Sequence, residues 1–351
     1  MIFFNEITLS NSEKMGLVSN LATMLGAGIP IFETINSLLE DAKGNQKKIL
    51  STLSADLIEG QRVHASFAKF PQVFNPVTIS LIKAAEEAGT LTTTLKDLKE
   101  SLRKETEFMD KVRAAFLYPL IIFGVFIGVL VMILVVVVPK IAVVFSRLNV
   151  NLPLPTRILI GLSNLILEQT ILLVTSLAIT IVVSVIVYKK NREIILSPLF
   201  SLPVISDLVR EIDLTRFSHN LHLLLNAGLT ITNALELTQA VVVKKDTKKL
   251  ISNTQRMVAE GKKISEGFKS SKGLMPVIVL KLIEVGDKTG TLDKSMADIS
   301  EYLDYKVTTT LKTLTVILEP LLLVVVGICV GAMMLAIIAP IYGLIGQVGG
   351  R

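Results

Sequence analysis

Three carboxylates stand where a side chain could do chemistry. Glu86 and Glu87 precede Ala88-Gly89, and Asp287 stands three residues before Gly290 just as Glu86 stands three before Gly89. A carboxylate beside a helix-ending glycine can hold a cation, cap a neighbouring helix or meet a partner, and a cap or a solvated charge is its commonest use. His219 and His222, at i and i+3, could share one face of a helix. The chain holds only 3 His and 1 Cys, and no third ligand follows at a zinc-site spacing, so ordinary helix-surface histidines are expected. Lys244, Lys245, Lys248 and Lys249 make the densest basic cluster, suited to a solubilising turn or to a docking patch for a partner or for lipid.

Several chemistries are excluded. A phosphate loop needs a glycine, four residues, then Gly-Lys-Ser/Thr, so that amides wrap phosphate and a hydroxyl holds magnesium. The nearest string, Gly261-Lys262-Lys263, lacks the hydroxyl and has Arg256 where the first glycine belongs. Hydrolysis of ATP by this chain is therefore not expected. Ser and His are too scattered to infer a triad, and the lone Cys329 rules out a disulfide framework, a four-cysteine zinc site and a redox pair. Cys329 is expected as a small lipid-facing or packed residue. No cofactor, metal or nucleic-acid partner is expected, and a membrane-bound enzyme suffers from the absence of a recognisable site.

The elements that must position these residues are set by hydrophobicity. Of 351 residues 51% are apolar and 19% charged, against the roughly 25% charged of soluble domains, which places part of the chain in lipid. The start Met1-Ile2-Phe3-Phe4 runs at once into Asn5 and Glu6, so no cleavable signal is expected. Uncharged runs at 117–138, 170–188 and 320–341 are each long enough to cross a bilayer as a helix, the first rising about 33 Å. The predicted layout is a cytoplasmic bundle at 1–115, spans at 116–138, 167–188 and 316–341, an outward loop at 139–166, a second cytoplasmic bundle at 189–315 and an outward tail at 342–351.

Basic residues orient it. Arg103, Lys104, Lys111, Arg113, Lys189, Lys190, Arg192, Lys306 and Lys312 flank the spans on one side, against Lys140, Arg147, Arg157 and Arg351 on the other, so both polar regions face the cytoplasm. Residues 1–113 carry 13 basic and 14 acidic side chains and residues 189–315 carry 19 and 14, so the surplus sits in the second polar region and in the outward parts.

The chain repeats itself. Met24-Leu25-Gly26-Ala27-Gly28 returns as Leu224-Leu225-Asn226-Ala227-Gly228, displaced by 200 residues, and beyond it the displacement is 201. At that spacing Glu59-Gly60 maps on Glu260-Gly261, Phe67 on Phe268, Glu86 on Asp287, Gly89-Thr90-Leu91 on Gly290-Thr291-Leu292, Pro119 on Pro320 and Pro139 on Pro340. Leu91, Leu95, Leu98 and Leu102, with Leu292, Met296, Ile299 and Leu303, have helical period. The fold class is all-α: two homologous antiparallel helix bundles and three membrane helices. Each last bundle helix is expected to run on into the membrane.

These features resemble the type II secretion protein F family, the inner-membrane platform proteins of type II secretion and type IV pilus machines. The resemblance covers nearly the whole chain. It rests on the duplication, on Leu25-Gly26-Ala27-Gly28-Ile29-Pro30, on Glu86-Glu87-Ala88-Gly89-Thr90-Leu91, on Tyr118-Pro119, on Leu152-Pro153-Leu154-Pro155-Thr156-Arg157 and on Glu319-Pro320. Two departures stand out. The family usually has glycine before the acidic residue in both units, whereas here Ala85 fills the first position and Gly286 the second. The first unit also begins close to Met1, as in short type IVb pilus forms.

The resemblance implies a bacterial inner-membrane scaffold, multi-pass, with its N-terminus cytoplasmic and its C-terminus periplasmic. It implies a homo-oligomer, a dimer, whose bundles dock a hexameric assembly or retraction ATPase and whose spans receive pilin or pseudopilin helices beside other inner-membrane assembly proteins. On that basis Gly124-x-x-x-Gly128 and Gly327-x-x-x-Gly331 would pack against the chain's own helices, a pilin or a second protomer. Glu319, at the expected start of the third span, would be an interfacial cap or a pilin contact, and Pro119 and Pro320 would occupy first turns, where no donor is lost. The competing reading is a small transporter or channel with cytoplasmic regulatory bundles. Transporters, however, keep their repeats in the membrane around broken helices, whereas here the repeated mass is polar.

Overall fold

In the computed structural model residues 7–147, 153–169, 175, 203–271 and 273–348 are described, and among them every regular element is helical. The expected span at 170–188 and the basic residues that follow it lie outside the described residues, apart from Thr175. The helices are α1 (Asn11–Gly26), α2 (Ile31–Asp41), α3 (Gly44–Ile58), α4 (Val63–Phe67), α5 (Pro76–Ala88), α6 (Leu91–Met132), α7 (Val138–Arg147) and α8 (Leu154–Glu168). Then follow α9 (Pro203–Asn226), α10 (Ile231–Thr238), α11 (Lys245–Ala259), α12 (Ile264–Lys269), α13 (Val277–Thr289) and α14 (Leu292–Val348). Two compact units result, one made of Met1–Lys111 with Pro203–Thr309, the other of Val112–Leu202 with Thr310–Arg351.

The first unit holds the polar part of both repeats. Local signals start and stop its helices. Ser10 and Glu13 form a capping box on α1, and Asn75 accepts the Thr78 amide with Pro76 in the first turn of α5. Gly89 and Gly290 end α5 and α13 in the left-handed region, at φ 70° and 72°, and the next amides, of Thr90 and Thr291, reach back to the Ala85 and Gly286 carbonyls.

Each repeat has its own core. The predicted stripes point inward: Leu95, Leu98 and Leu102 are buried in the first repeat, and Leu292, Met296, Ile299 and Leu303 in the second. Phe67 meets Phe74 edge-on at 4.3 Å, and Phe268 meets Phe217 at 5.5 Å. Val77 and Leu81 cross over: they belong to α5 but are buried with Leu214, Phe217 and Leu221 of α9. Burying two such side chains contributes about 3–6 kcal/mol to the contact between the repeats before chain entropy is counted.

The second unit contains the apolar half of α6, the segment to α8, and the end of α14. Leu91–Ser146 and Leu292–Ile338 are helices long and apolar enough to cross a membrane. The expected outward segment 139–166 holds helices, within Val138–Arg147 and Leu154–Glu168. One expectation needs correcting. Pro119 and Pro320 were placed in first turns, yet each lies 28 residues inside a continuous helix. No helix start exists there, so Glu319, exposed within α14, has no helix N-terminus to cap.

The turn before α7 follows from one missing donor. Residues Ile133–Val137 form a π-helical turn in which the Val138 amide bonds the Ile133 carbonyl. In that register Pro139 should donate to the Leu134 carbonyl but has no N–H. The Ser163 hydroxyl of α8 donates to Leu134 instead, at 2.6 Å, with both residues buried.

Candidate functional site

The acidic and glycine residues form one construction, built twice. Glu86, near the end of α5, turns its carboxylate onto the start of α4: it accepts from the Val63 amide at 2.6 Å and the His64 amide at 3.2 Å, and pairs with His64 Nδ1 at 2.6 Å. Partial burial works to raise its pKa, but the bonds from His64 and Val63 outweigh it and hold the carboxyl below its ordinary range. Asp287 repeats the contact on α12, accepting the Ser265 amide at 3.1 Å. Both carboxylates thus fix a short helix that has too few residues to hold itself. Glu87 is exposed and pairs loosely with Arg62 at 3.7 Å.

The seam between repeats lies on α9. Ser101 Oγ of α6 and His219 Nε2 of α9 share a hydrogen bond at 2.7 Å, and Arg216 Nη2 donates to Met109 Sδ at 3.0 Å. Lys111 of α6 pairs with Asp304 of α14 at 3.5 Å. His219 and His222 were expected on a helix surface, and this needs correction: α9 is sandwiched, so both are half-buried and His222 Nδ1 meets the Asp293 carbonyl at 2.8 Å. Burial first, then the charges of His222 and Lys104, pushes the His219 pKa down to about 4.

Two stretches, residues 17–139 and 217–340, match the family model described as type II secretion system (T2SS), protein F. They carry the two copies of this construction. The chain belongs to the type II secretion system protein F family. Among its relatives, the type IV pilus assembly protein PilC of Thermus thermophilus is 29% identical over 331 residues, 93% of this chain and 81% of the relative. The type II secretion system protein F of Pseudomonas aeruginosa is 26% identical over 343 residues, 97% and 84%. The protein transport protein HofC homolog of Escherichia coli is 25% identical over 346 residues, 98% and 86%.

In this chain the departure at Ala85 has a local cause. A Cβ on Gly286 would sit 2.4 Å from Ser295 Oγ and 3.0 Å from the Leu292 Cα, so the second repeat closes α13 on α14 too tightly for alanine. The first repeat holds Ala85 buried at the same corner. The basic cluster splits in two. The Lys244 ammonium turns inward to Ser206, 2.8 Å to Oγ and 3.2 Å to the carbonyl, whereas Lys245 and Lys249 are exposed and Lys248 half-buried.

Asp213 was not visible as a site residue in the sequence. Its carboxylate accepts the Lys244 amide at 2.6 Å and the Val243 amide at 2.9 Å, capping α11 from thirty residues away. Burial pushes its carboxyl up, against the pull of those two amides. No local spacing announces such a cap. Gly124, Gly128, Gly327 and Gly331 have open space where a Cβ would stand, so no packing partner reaches them among the described residues. Cys329 is half-buried.

Proposed function

We infer that this protein is the inner-membrane platform of a type IV pilus or type II secretion machine, coupling a cytoplasmic hexameric ATPase to polymerisation of pilin or pseudopilin. The observation that carries this reading is that the last bundle helix of each repeat runs on into an apolar segment long enough to cross a membrane, within Leu91–Ser146 and Leu292–Ile338. A displacement of either bundle is thereby a displacement of a membrane helix. The relatives' names belong to both kinds of machine, so the choice of fibre is carried by the partners.

In this reading the chain crosses the membrane three times, with 170–188 as the middle span, both bundles in the cytoplasm, the N-terminus inside and the C-terminus in the periplasm. It acts as a homo-oligomer, a dimer, without catalysis or cofactor. The open glycine faces at Gly124, Gly128, Gly327 and Gly331 admit close approach of a pilin or protomer helix, and exposed Glu319 offers a polar contact to a pilin. The exposed lysines 245 and 249 suit an acidic ATPase surface.

Co-purification of the full chain from membranes in mild detergent, with mass spectrometry of what stays bound, tests the reading. An assembly ATPase and a pilin are expected, and Lys245→Glu with Lys249→Glu should release the ATPase while leaving the fold intact. Retention of neither partner, or solute flux through the protein in liposomes, would count against the platform and for a transporter.

A further inference from the structure

Helix α8 carries three different faces. Thr156 and Ser163, seven residues apart, are buried and turn to neighbouring helices, where they donate to the Ala336 and Leu134 carbonyls. Arg157, Asn164 and Glu168, at i, i+7 and i+11, share a second face and are exposed. Leu154, Ile158, Leu162 and Leu165 make a third, about 100° farther round. They are 73%, 63%, 51% and 48% exposed. An exposed aliphatic stripe beside an exposed polar ridge is the pattern of a helix lying where hydrocarbon meets water.

The bonds of its buried face set α8 beside the apolar segments. Leu134 lies in the uncharged run 117–138 and Ala336 in the run 320–341, each a few residues before the outward end of its run. A hydroxyl that takes over a carbonyl left open by a proline matters most where water is absent, which is the condition inside a bilayer. Between α6 and α8 the π-helical turn Ile133–Val137 and Pro139 are both features at which helices kink. Beyond them α7 exposes Lys140 together with Val143 and Val144, the same mixture of charge and aliphatic surface.

The composition of the stripe decides what covers it. Only Leu and Ile form it, without the aromatic, Met or Arg side chains that anchor protein partners. Exposed apolar residues also stand around both attachments: Met132 and Val136 beside Leu134, and Met334, Leu335 and Ile338 beside Ala336. Acyl chains meet all of these surfaces without needing a complementary shape.

We propose that α8 is an interfacial helix of the outward leaflet, with Leu154, Ile158, Leu162 and Leu165 among lipid acyl chains and Arg157, Asn164 and Glu168 at the headgroups and water. The outward segment is then fastened to the bilayer over the length of α8, about 22 Å, and does not stand free in the periplasm. This rests on the membrane layout given above and goes further by naming the face that binds lipid.

The sequence contains no Trp, so one introduced Trp reports alone. The full chain, carrying Ile158→Trp, Leu162→Trp, Asn164→Trp or Val125→Trp singly, is reconstituted in phosphatidylcholine–phosphatidylglycerol vesicles. Fluorescence is quenched either by lipids brominated on their acyl chains or by iodide on both sides of the membrane. Val125, exposed in the apolar part of α6, is the reference. Brominated chains should quench Ile158→Trp and Leu162→Trp about as strongly as Val125→Trp and on the order of threefold more than Asn164→Trp, and iodide should reach Asn164→Trp alone. Quenching of Leu162→Trp by iodide in place of bromine would put α8 in water and overturn the proposal. Shielding of Ile158→Trp and Leu162→Trp from both quenchers would put a protein on the stripe, and equal bromine quenching of Asn164→Trp and Leu162→Trp would make α8 a helix sunk in lipid on both faces. Either result overturns it too. If the stripe escapes bromine while Val125→Trp is quenched, only the placement of α8 is wrong; if Val125→Trp escapes as well, the membrane layout falls with it.

Discussion

The Thr156 hydroxyl donates to the carbonyl of Ala336, 180 residues away in sequence, and Ala336 is the residue whose carbonyl Pro340 leaves without an amide. In a helix the amide at i+4 bonds the carbonyl at i, and proline at 340 has none to give. Ser163 does the same for Leu134 ahead of Pro139, and the two prolines are equivalent in the repeat. A single helix, α8, therefore bonds the carbonyls that both of these prolines leave open. In an apolar surrounding, where water cannot fill the vacancy, that is a reason for the threonine in Leu154-Pro155-Thr156.

Thr156→Val and Ser163→Ala should each lower the stability of the purified protein by about 0.5–2 kcal/mol. The decisive measurement is a double-mutant cycle by thermal unfolding in detergent. Pro340→Ala restores an amide for Ala336, so Thr156→Val should cost less in that background than alone. Equal costs in both backgrounds would sever the hydroxyl from the proline.

His219 supplies a pH dependence of definite sign. Its pKa is pushed down from 6.5 to about 4 in the fold, so the unfolded chain binds more protons between those values. The stabilising share is complete above about pH 6.5 and is lost as pH falls toward 4, by roughly 1–3 kcal/mol. His219→Gln should flatten the fall in thermal midpoint over that window. An unchanged slope would show that other groups cause it.

Glu86→Ala removes the acceptor of two backbone amides and the partner of His64, and should cost about 1–3 kcal/mol. Asp287→Ala removes one bond and should cost less. Since the Glu86 carboxyl lies below its ordinary 4.5, its contribution is present above that pH and is lost as pH falls through the folded value. Amide exchange at Val63 and His64 should quicken in Glu86→Ala, and unaltered protection there would contradict the cap.

Gly286→Ala should destabilise by about 1–3 kcal/mol, because the added Cβ meets the Leu292 backbone as well as Ser295. The reciprocal Ala85→Gly should cost about 1–2 kcal/mol, through helix entropy and the loss of one buried methyl. A thermal shift for Gly286→Ala no larger than for Ala85→Gly would mean that the second repeat can relax after all.

The amino-acid sequence by itself determined the helical class, the duplication and the apolar segments, because each depends on periodicity or on a displacement that side-chain identity records directly. Gly89 and Gly290 were legible as helix ends because only glycine takes that backbone cheaply. What only the tertiary structure decided were pairings between distant residues. Ser101 with His219, Asp213 with the start of α11, and Thr156 with Ala336 join helices whose order along the chain carries no mark of their contact. The histidines misled for the same reason: the face of α9 that looks solvated in a single helix becomes a seam once the other repeat packs on it, and burial there sets their partners and holds down the pKa of His219.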